Sequence, residues 1–237
     1  MKRLLHALLA GVLLSACGAE SGTGGREVAF RIAAESIPQG DGAPGVFVTR
    51  TGWSVTLEEA AISVGPLYLF SEAPPSASRL RPLGWLVPVA HAHSGFDDFD
   101  GGQVRGEYLG RFVIDALLPG LQPIASVRGI AGRVRSATVE LQPPGGSPAL
   151  LNGHQAWVRG VAVRGDETVP FEGGLDLPEG GNVRKVAGIP AAIDLDDGTT
   201  VVLELRVERW LSEADFSSLP PDGNERRTLA PGTQPYN

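Results

Sequence analysis

The stretch Thr199–Trp210, TTVVLELRVERW, carries the clearest strand pattern in the chain. Along it apolar side chains alternate with other residues, and the apolar set is Val201, Leu203, Leu205 and Val207. Side chains two residues apart lie on the same face of a strand, so these four are expected to face a core. Three charged residues, Glu204, Arg206 and Glu208, fall on the opposite face. This alternation predicts a strand with one buried and one solvent-exposed face.

The same style of alternation recurs through most of the chain. It appears within residues 27–33, 46–49, 53–64, 104–118, 136–141, 156–164, 169–177 and 183–189. We expect roughly nine to eleven short strands, at the spacing that β-sandwiches show. The 32 glycines and 19 prolines of the chain supply the turns. The prediction is an all-β, mostly antiparallel, β-sandwich-like domain over residues 27–219, followed by a flexible tail over 220–237.

Three local features refine this prediction. The alternation changes parity at Glu58-Glu59, which one strand with a β-bulge, two strands or a short helical turn would each explain. Asp196-Asp197-Gly198 predicts a turn, and Asp-Gly is a strong hairpin signal. Ser212 resembles a helix N-cap, so at most one short helix is expected, near the C terminus.

The N-terminal residues indicate export. Lys2 and Arg3 precede an apolar run that ends at Leu14, and small residues follow, as in a secretory signal peptide. The run is shorter than the roughly 20 residues that a membrane-spanning helix needs. We therefore predict a signal peptide over residues 1–16.

Leu14-Ser15-Ala16-Cys17 resembles the lipobox of bacterial lipoproteins. The resemblance implies cleavage before Cys17, a thioether link from Cys17 to diacylglycerol, and an acylated new amino terminus. Residues 17–26 would then form a lipidated tether, with the membrane as partner through the lipid at Cys17. Gly18 favours the outer membrane, facing the periplasm, by resemblance to enterobacterial sorting. The alternatives are an ordinary signal peptide cut near Ala16 and a transmembrane anchor.

Composition narrows the classes of function. After loss of the signal peptide, 18 basic residues face 27 acidic ones, an excess that disfavours nucleic acid as a partner. Cys17 is the only cysteine, so a lipidated chain has no thiol chemistry and no disulfide. The sequence contains no nucleophile elbow of the G-x-S-x-G type and no phosphate-binding loop. We therefore predict a protein that is not an enzyme.

One segment has the composition of a metal site. His91 and His93 are two residues apart, so on a strand both imidazoles lie on one face, about 7 Å apart at the α-carbons. Further ligands would come from elsewhere, and the candidates are His154, Asp97, Asp98 and Asp100. Three imidazoles with an oxygen ligand suit Zn or Cu. The alternatives are solvated histidines beside an aspartate turn, or weak calcium binding by the aspartates.

The body of the chain is similar to uncharacterised bacterial lipoproteins that contain a Gly-Trp strand and a His-Ala-His segment, a resemblance that implies no function. From the residues we predict a non-enzymatic binding protein for a transition metal. The alternative is a structural or protein-interaction lipoprotein of the cell envelope, with no small-molecule site and with a protein partner that the sequence does not identify.

Overall fold

Strands dominate the computed structural model, which describes residues 25–40, 42–74, 102–178, 184–219 and 227–228. Strand residues make up 58% of the structure and helical residues 7%. The strands are β1 Glu27–Ser36, β2 Val46–Val48, β3 Ser54–Phe70, β4 Val104–Tyr108, β5 Phe112–Asp115, β6 Leu121–Ile130, β7 Gly132–Leu141, β8 Ala156–Arg164, β9 Glu167–Leu175, β10 Lys185–Leu195, β11 Thr200–Leu205 and β12 Arg227–Thr228. The described helices are three short 3₁₀ segments, Ala149–Leu151, Val207–Leu211 and Phe216–Ser218. The prediction of an all-β fold is confirmed.

The 17-residue strand β3 organises the sheet. Up to Val64 it pairs with β8 on one side and with β2 and β5 on the other, and beyond that point it pairs with β7 and β4. The full strand order is β11-β1-β6-β4-β3-β8-β9-β12, with β10 attached to β7. Among the described strands, only β1 with β11 and β9 with β12 pair in parallel. The sheet is therefore mostly antiparallel, as predicted.

Two hydrophobic clusters form the core. The first joins Phe30 of β1 with Leu67 of β3 and Val134 of β7, although β1 pairs with neither β3 nor β7. Packing between strands that are not neighbours means that the sheet folds over a shared core, as a sandwich-like fold requires. The second cluster contains Trp53 and Phe171, and it also includes five residues near the C terminus: Val207, Leu211, Ala214, Phe216 and Leu219. Full burial of each large apolar side chain contributes about 1.5–3 kcal/mol.

The stretch Thr199–Trp210, which has the clearest strand pattern in the sequence, forms a strand only in its first half. Val201 and Val207 are both buried, and Leu203 and Leu205 are half-buried. The strand ends at Leu205, not at Trp210, because the backbone turns at Arg206 into a 3₁₀ helix over Val207–Leu211. The turn directs Val207 and Leu211 into the second cluster.

The predicted C-terminal helix begins at a different residue. Ser212 ends the 3₁₀ helix Val207–Leu211 rather than starting a helix. A second 3₁₀ helix begins after Asp215, whose side chain accepts a hydrogen bond from the backbone N–H of Ser217. Beyond it, the described pair Arg227–Thr228 forms β12 beside β9, within the segment that the sequence predicts to be a flexible tail.

The Asp196–Gly198 segment forms the predicted turn but not the predicted hairpin. Gly198 has a φ of +77°, which suits glycine in a turn. The strands that the turn joins have different partners: β10 pairs with β7, and β11 pairs with β1. The backbone N–H of Ala29 donates to the Asp197 carboxylate at 2.9 Å, and Arg26 donates to Asp196 at 2.6 Å. These bonds attach the turn to the start of β1, so β11 continues along β1.

No helix in the ranges that the structure describes is long and apolar enough to cross a membrane.

Candidate functional site

His154 is the predicted metal ligand that lies within the described residues. It sits in the turn between the 3₁₀ helix Ala149–Leu151 and β8, and its backbone N–H donates to the carbonyl of Leu151 at 2.8 Å. Asn152 takes the left-handed conformation, with a φ of 46°, which asparagine adopts more readily than most residues. This turn brings the imidazole back over the β8–β9 hairpin.

Asp176 is the partner of His154. In the β8–β9 hairpin Ala156 is opposite Leu175, so the next pair outward is Gln155 and Asp176. The backbone N–H of Gln155 donates to Oδ1 of Asp176 at 3.1 Å, and Oδ2 lies 2.6 Å from Nδ1 of His154. The carboxylate is therefore held by the hairpin while it holds the imidazole.

The imidazole also lies flat on an aromatic ring. The rings of His154 and Trp157 are stacked, with centroids 5.5 Å apart and planes 4° apart. Trp157 pairs directly with Gly174 of β9. A Cβ atom at Gly174 would lie 2.3 Å from Cγ of His154, which is closer than two non-bonded carbon atoms can approach. A glycine at position 174 therefore gives the imidazole the space that it occupies.

The indole beneath the imidazole is fixed by charged neighbours. Nε1 of Trp157 donates to Oε2 of Glu59 at 2.9 Å. Arg159 approaches Glu59 at 2.5 Å and Glu58 at 3.3 Å. Both carboxylates reach Arg159 because the β3–β8 register shifts between Leu57 and Glu59, which confirms the β-bulge among the three predicted explanations of the parity change.

This arrangement leaves one imidazole nitrogen for a ligand. If Nδ1–H of a neutral His154 donates to Asp176, the lone pair is on Nε2. Within the described part of the chain, no protein group hydrogen-bonds Nε2, and 35% of the side chain is exposed. Histidines that bind a metal almost always donate their other N–H to a carboxylate, a carbonyl or water. The His154–Asp176 pair therefore has the geometry of a ligand with its supporting carboxylate.

The other predicted site residues are His91, His93, Asp97, Asp98, Asp100 and Cys17, and all of them lie outside the described residues. Among the residues that are described, no group of three or more His, Cys, Asp or Glu side chains is placed to hold a metal ion. The described geometry thus supplies one imidazole of the predicted set.

Asp176 is absent from the sequence prediction. The hairpin register could have identified Asp176 from the sequence. The strand patterns before and after Gly165 place Gln155 and Asp176 at matching distances from the turn. The aspartates of the predicted turn, Asp196 and Asp197, bind the start of β1. The nearby Asp194 lies in β10 and pairs with Arg133 of β7 at 2.7 Å.

Comparison of the chain with protein-family models, with curated proteins and with solved structures finds no match.

Proposed function

We propose that this protein is an exported lipoprotein that acts as a non-enzymatic binding protein for a transition metal, Zn or Cu. In this proposal lipid on Cys17 anchors it to the outer membrane, facing the periplasm. Export and lipid anchoring are supported by the lipobox resemblance of Leu14–Cys17 and by the apolar run before it.

One observation carries the metal proposal: Asp176 holds Nδ1 of His154 at 2.6 Å, so that Nε2 is oriented for a ligand. His91 and His93 complete the proposed imidazole set from their spacing in the sequence, with Asp97, Asp98 and Asp100 as oxygen ligands. This donor set contains no thiolate and no thioether, and it suits Zn or divalent Cu.

Metal content tests the binding proposal. We expect wild-type protein, purified without an affinity tag, to hold close to one equivalent of zinc or copper. The double variant His91→Ala/His93→Ala and the single variant His154→Ala should each lose it. The control variant is Asp166→Asn, in the exposed turn at the other end of the β8–β9 hairpin. Unchanged metal content in the double variant, or none in the wild type after metal loading, would reject the proposal.

The lipid anchor has a separate test. Labelled fatty acid should be incorporated into wild-type protein and not into Cys17→Ser, which should accumulate in unprocessed or soluble form. Lack of label in the wild type would reject the anchor without affecting the metal proposal.

A second candidate function is supported by one face of the sheet. Val48, Ser54, Val163 and Thr168 form a row across β2, β3, β8 and β9. All four are exposed, and the row contains no charge. Exposed apolar side chains without nearby charge in the row, here Val48 and Val163, favour a contact surface for another protein. If the metal-content test rejects the metal proposal, this structural or protein-interaction function is favoured.

A further inference from the structure

A polar cleft of about 230 Å³ lies at the end of β1, away from His154. Three segments build it: the loop after β1, the end of β2, and the 3₁₀ helix Val207–Leu211 with its flanking residues. Backbone hydrogen bonds join these segments, from Ile37 to Leu205 at 2.9 Å and from Arg50 to Ser212 at 2.8 Å. The backbone N–H of Val48 also donates to the side chain of Gln39 at 3.3 Å. The cleft is therefore part of the fold rather than a gap between loose loops.

Three arginines line the cleft: Arg50, Arg206 and Arg209. Arg50 forms a close ion pair with Glu213 at 2.6 Å. Arg206 lies 3.6 Å from Glu204, and Arg209 lies 4.0 Å from Glu208, both beyond hydrogen-bonding distance. Within the described ranges, neither of these two guanidinium groups donates a side-chain hydrogen bond. Each guanidinium carries five N–H donors in a planar fork that matches a carboxylate.

Glu208 lines the same cleft. The residue is 8% exposed, and its nearest ionic partner in the described structure is Arg209, at 4.0 Å. No hydrogen bond to the Glu208 carboxylate is found among the described residues, and its oxygens are not sealed from solvent. An ionised carboxylate only accepts hydrogen bonds, so a cationic or hydrogen-bond-donating group of a ligand in the cleft would be a suitable partner.

We propose that this cleft binds a small zwitterion of the α-amino acid type. Its carboxylate would accept hydrogen bonds from Arg206 and Arg209, and its ammonium group would pair with Glu208. A volume of about 230 Å³ is below the roughly 300–1,000 Å³ of pockets for drug-sized ligands, which restricts the ligand to a small molecule. Val48, 58% exposed, provides an apolar wall for a side chain. The proposal is independent of the metal proposal, since the two share no residue.

Calorimetry on the full mature chain tests this site. Each of the twenty proteinogenic L-amino acids would first be screened by thermal shift, and the most stabilising one titrated. We expect Arg206→Gln and Glu208→Gln each to weaken its affinity at least tenfold. Arg128→Gln, an exposed arginine of β6 paired with Glu27, is the matched control and should stay within twofold of the wild type.

Two analogues of the same amino acid distinguish the contributions of its ammonium group and its carboxylate to binding. The N-acetyl derivative lacks the ammonium group, and the decarboxylated amine lacks the carboxylate, so each should bind wild-type protein at least tenfold more weakly. This comparison uses only the wild type and keeps the test valid even if Glu208→Gln fails to fold. The proposal is overturned if no amino acid stabilises the protein, if either analogue binds as tightly as the parent, or if a folded Glu208→Gln or Arg206→Gln variant keeps wild-type affinity.

Discussion

The carboxylate of Asp176 lies 2.6 Å from Nδ1 of His154, across 22 residues of sequence. The β8–β9 hairpin brings the two together, and the stacked indole of Trp157 sets the plane of the imidazole. The position of His154 is thus determined on two sides, by a hydrogen bond at one nitrogen and by a ring contact on one face.

Asp176 is not a proposed metal ligand, but removal of its charge should weaken metal binding through His154. We expect Asp176→Asn to lower zinc affinity about 10- to 100-fold, the range found when the supporting carboxylate of a metal ligand is lost. Competition with a chromophoric chelator measures this change. Asp166→Asn should keep wild-type affinity. If Asp176→Asn binds zinc as tightly as the wild type, Asp176 does not support a ligand.

Gly160 is a position where any side chain is costly. A Cβ atom there would lie 2.5 Å from the carbonyl oxygen of Thr56 and 3.0 Å from Cα of Leu57. Because these are backbone atoms of the neighbouring strand, Gly160→Ala should destabilise the fold by about 1–3 kcal/mol, as overpacking does. Gly145→Ala is the control, since an added Cβ there meets nothing within 4 Å. Urea denaturation compares them, and equal midpoints would contradict the β3–β8 register.

The burial of Val201 and Val207 has a direct consequence for stability. An aspartate at either position places an unpaired charge in the core, and we expect Val201→Asp and Val207→Asp each to cost about 3 kcal/mol or more. Val186→Asp is the matched control, because Val186 is 44% exposed on β10. Free energies of unfolding measure the difference. A variant at 201 or 207 as stable as Val186→Asp would show that the core is wrongly placed.

Asp215 should make stability depend on acid pH. Hydrogen bonds from the hydroxyl and then the backbone N–H of Ser217 lower the pKa of this carboxyl, and the Trp53 N–H and the Arg164 charge add to the effect. The pKa is lower in the folded than in the unfolded chain, so the contribution is present above the ordinary value of 3.8 and is lost as pH falls through the folded pKa.

The variant Asp215→Asn tests this dependence. It should be less stable than the wild type at pH 7, and the gap should narrow below about pH 4. Urea midpoints at pH 7, 5, 4 and 2.5 measure the gap, with Asp166→Asn as control. A gap that stays constant down to pH 2.5 would show that the ionised carboxylate contributes nothing.

Local patterns predict the strands well where one face is buried. The bulge at Glu58-Glu59 follows from a parity change, because an extra residue moves the following side chains to the opposite face. The sequence pattern does not predict β6 as a separate strand. The residues of β6 are only half-buried or exposed, so the two faces of this strand differ little in hydrophobicity. The end of β11 at Leu205 is also missed, since Val207 is buried in a 3₁₀ helix as it would be in a strand.

Pairing and the site depend on contacts that are distant in sequence. The Asp-Gly turn at Gly198 gives no hairpin because Arg26 and Ala29 bind its aspartates. Composition and spacing identify His154 as a candidate, but they say nothing of Asp176, whose role depends on the hairpin register. Sequence patterns report which residues are buried, while tertiary hydrogen bonds decide which partners they meet.

X-ray absorption at the zinc edge of zinc-loaded, tag-free protein tests whether the histidines bind the metal. We expect one retained zinc whose first shell contains at least two imidazole nitrogens at about 2.0–2.1 Å and no sulfur at about 2.3 Å. In His91→Ala/His93→Ala this imidazole signal should disappear. Protein that retains no zinc after dialysis, or a shell of oxygen atoms alone, would contradict the proposal that this protein binds a transition metal through its histidines.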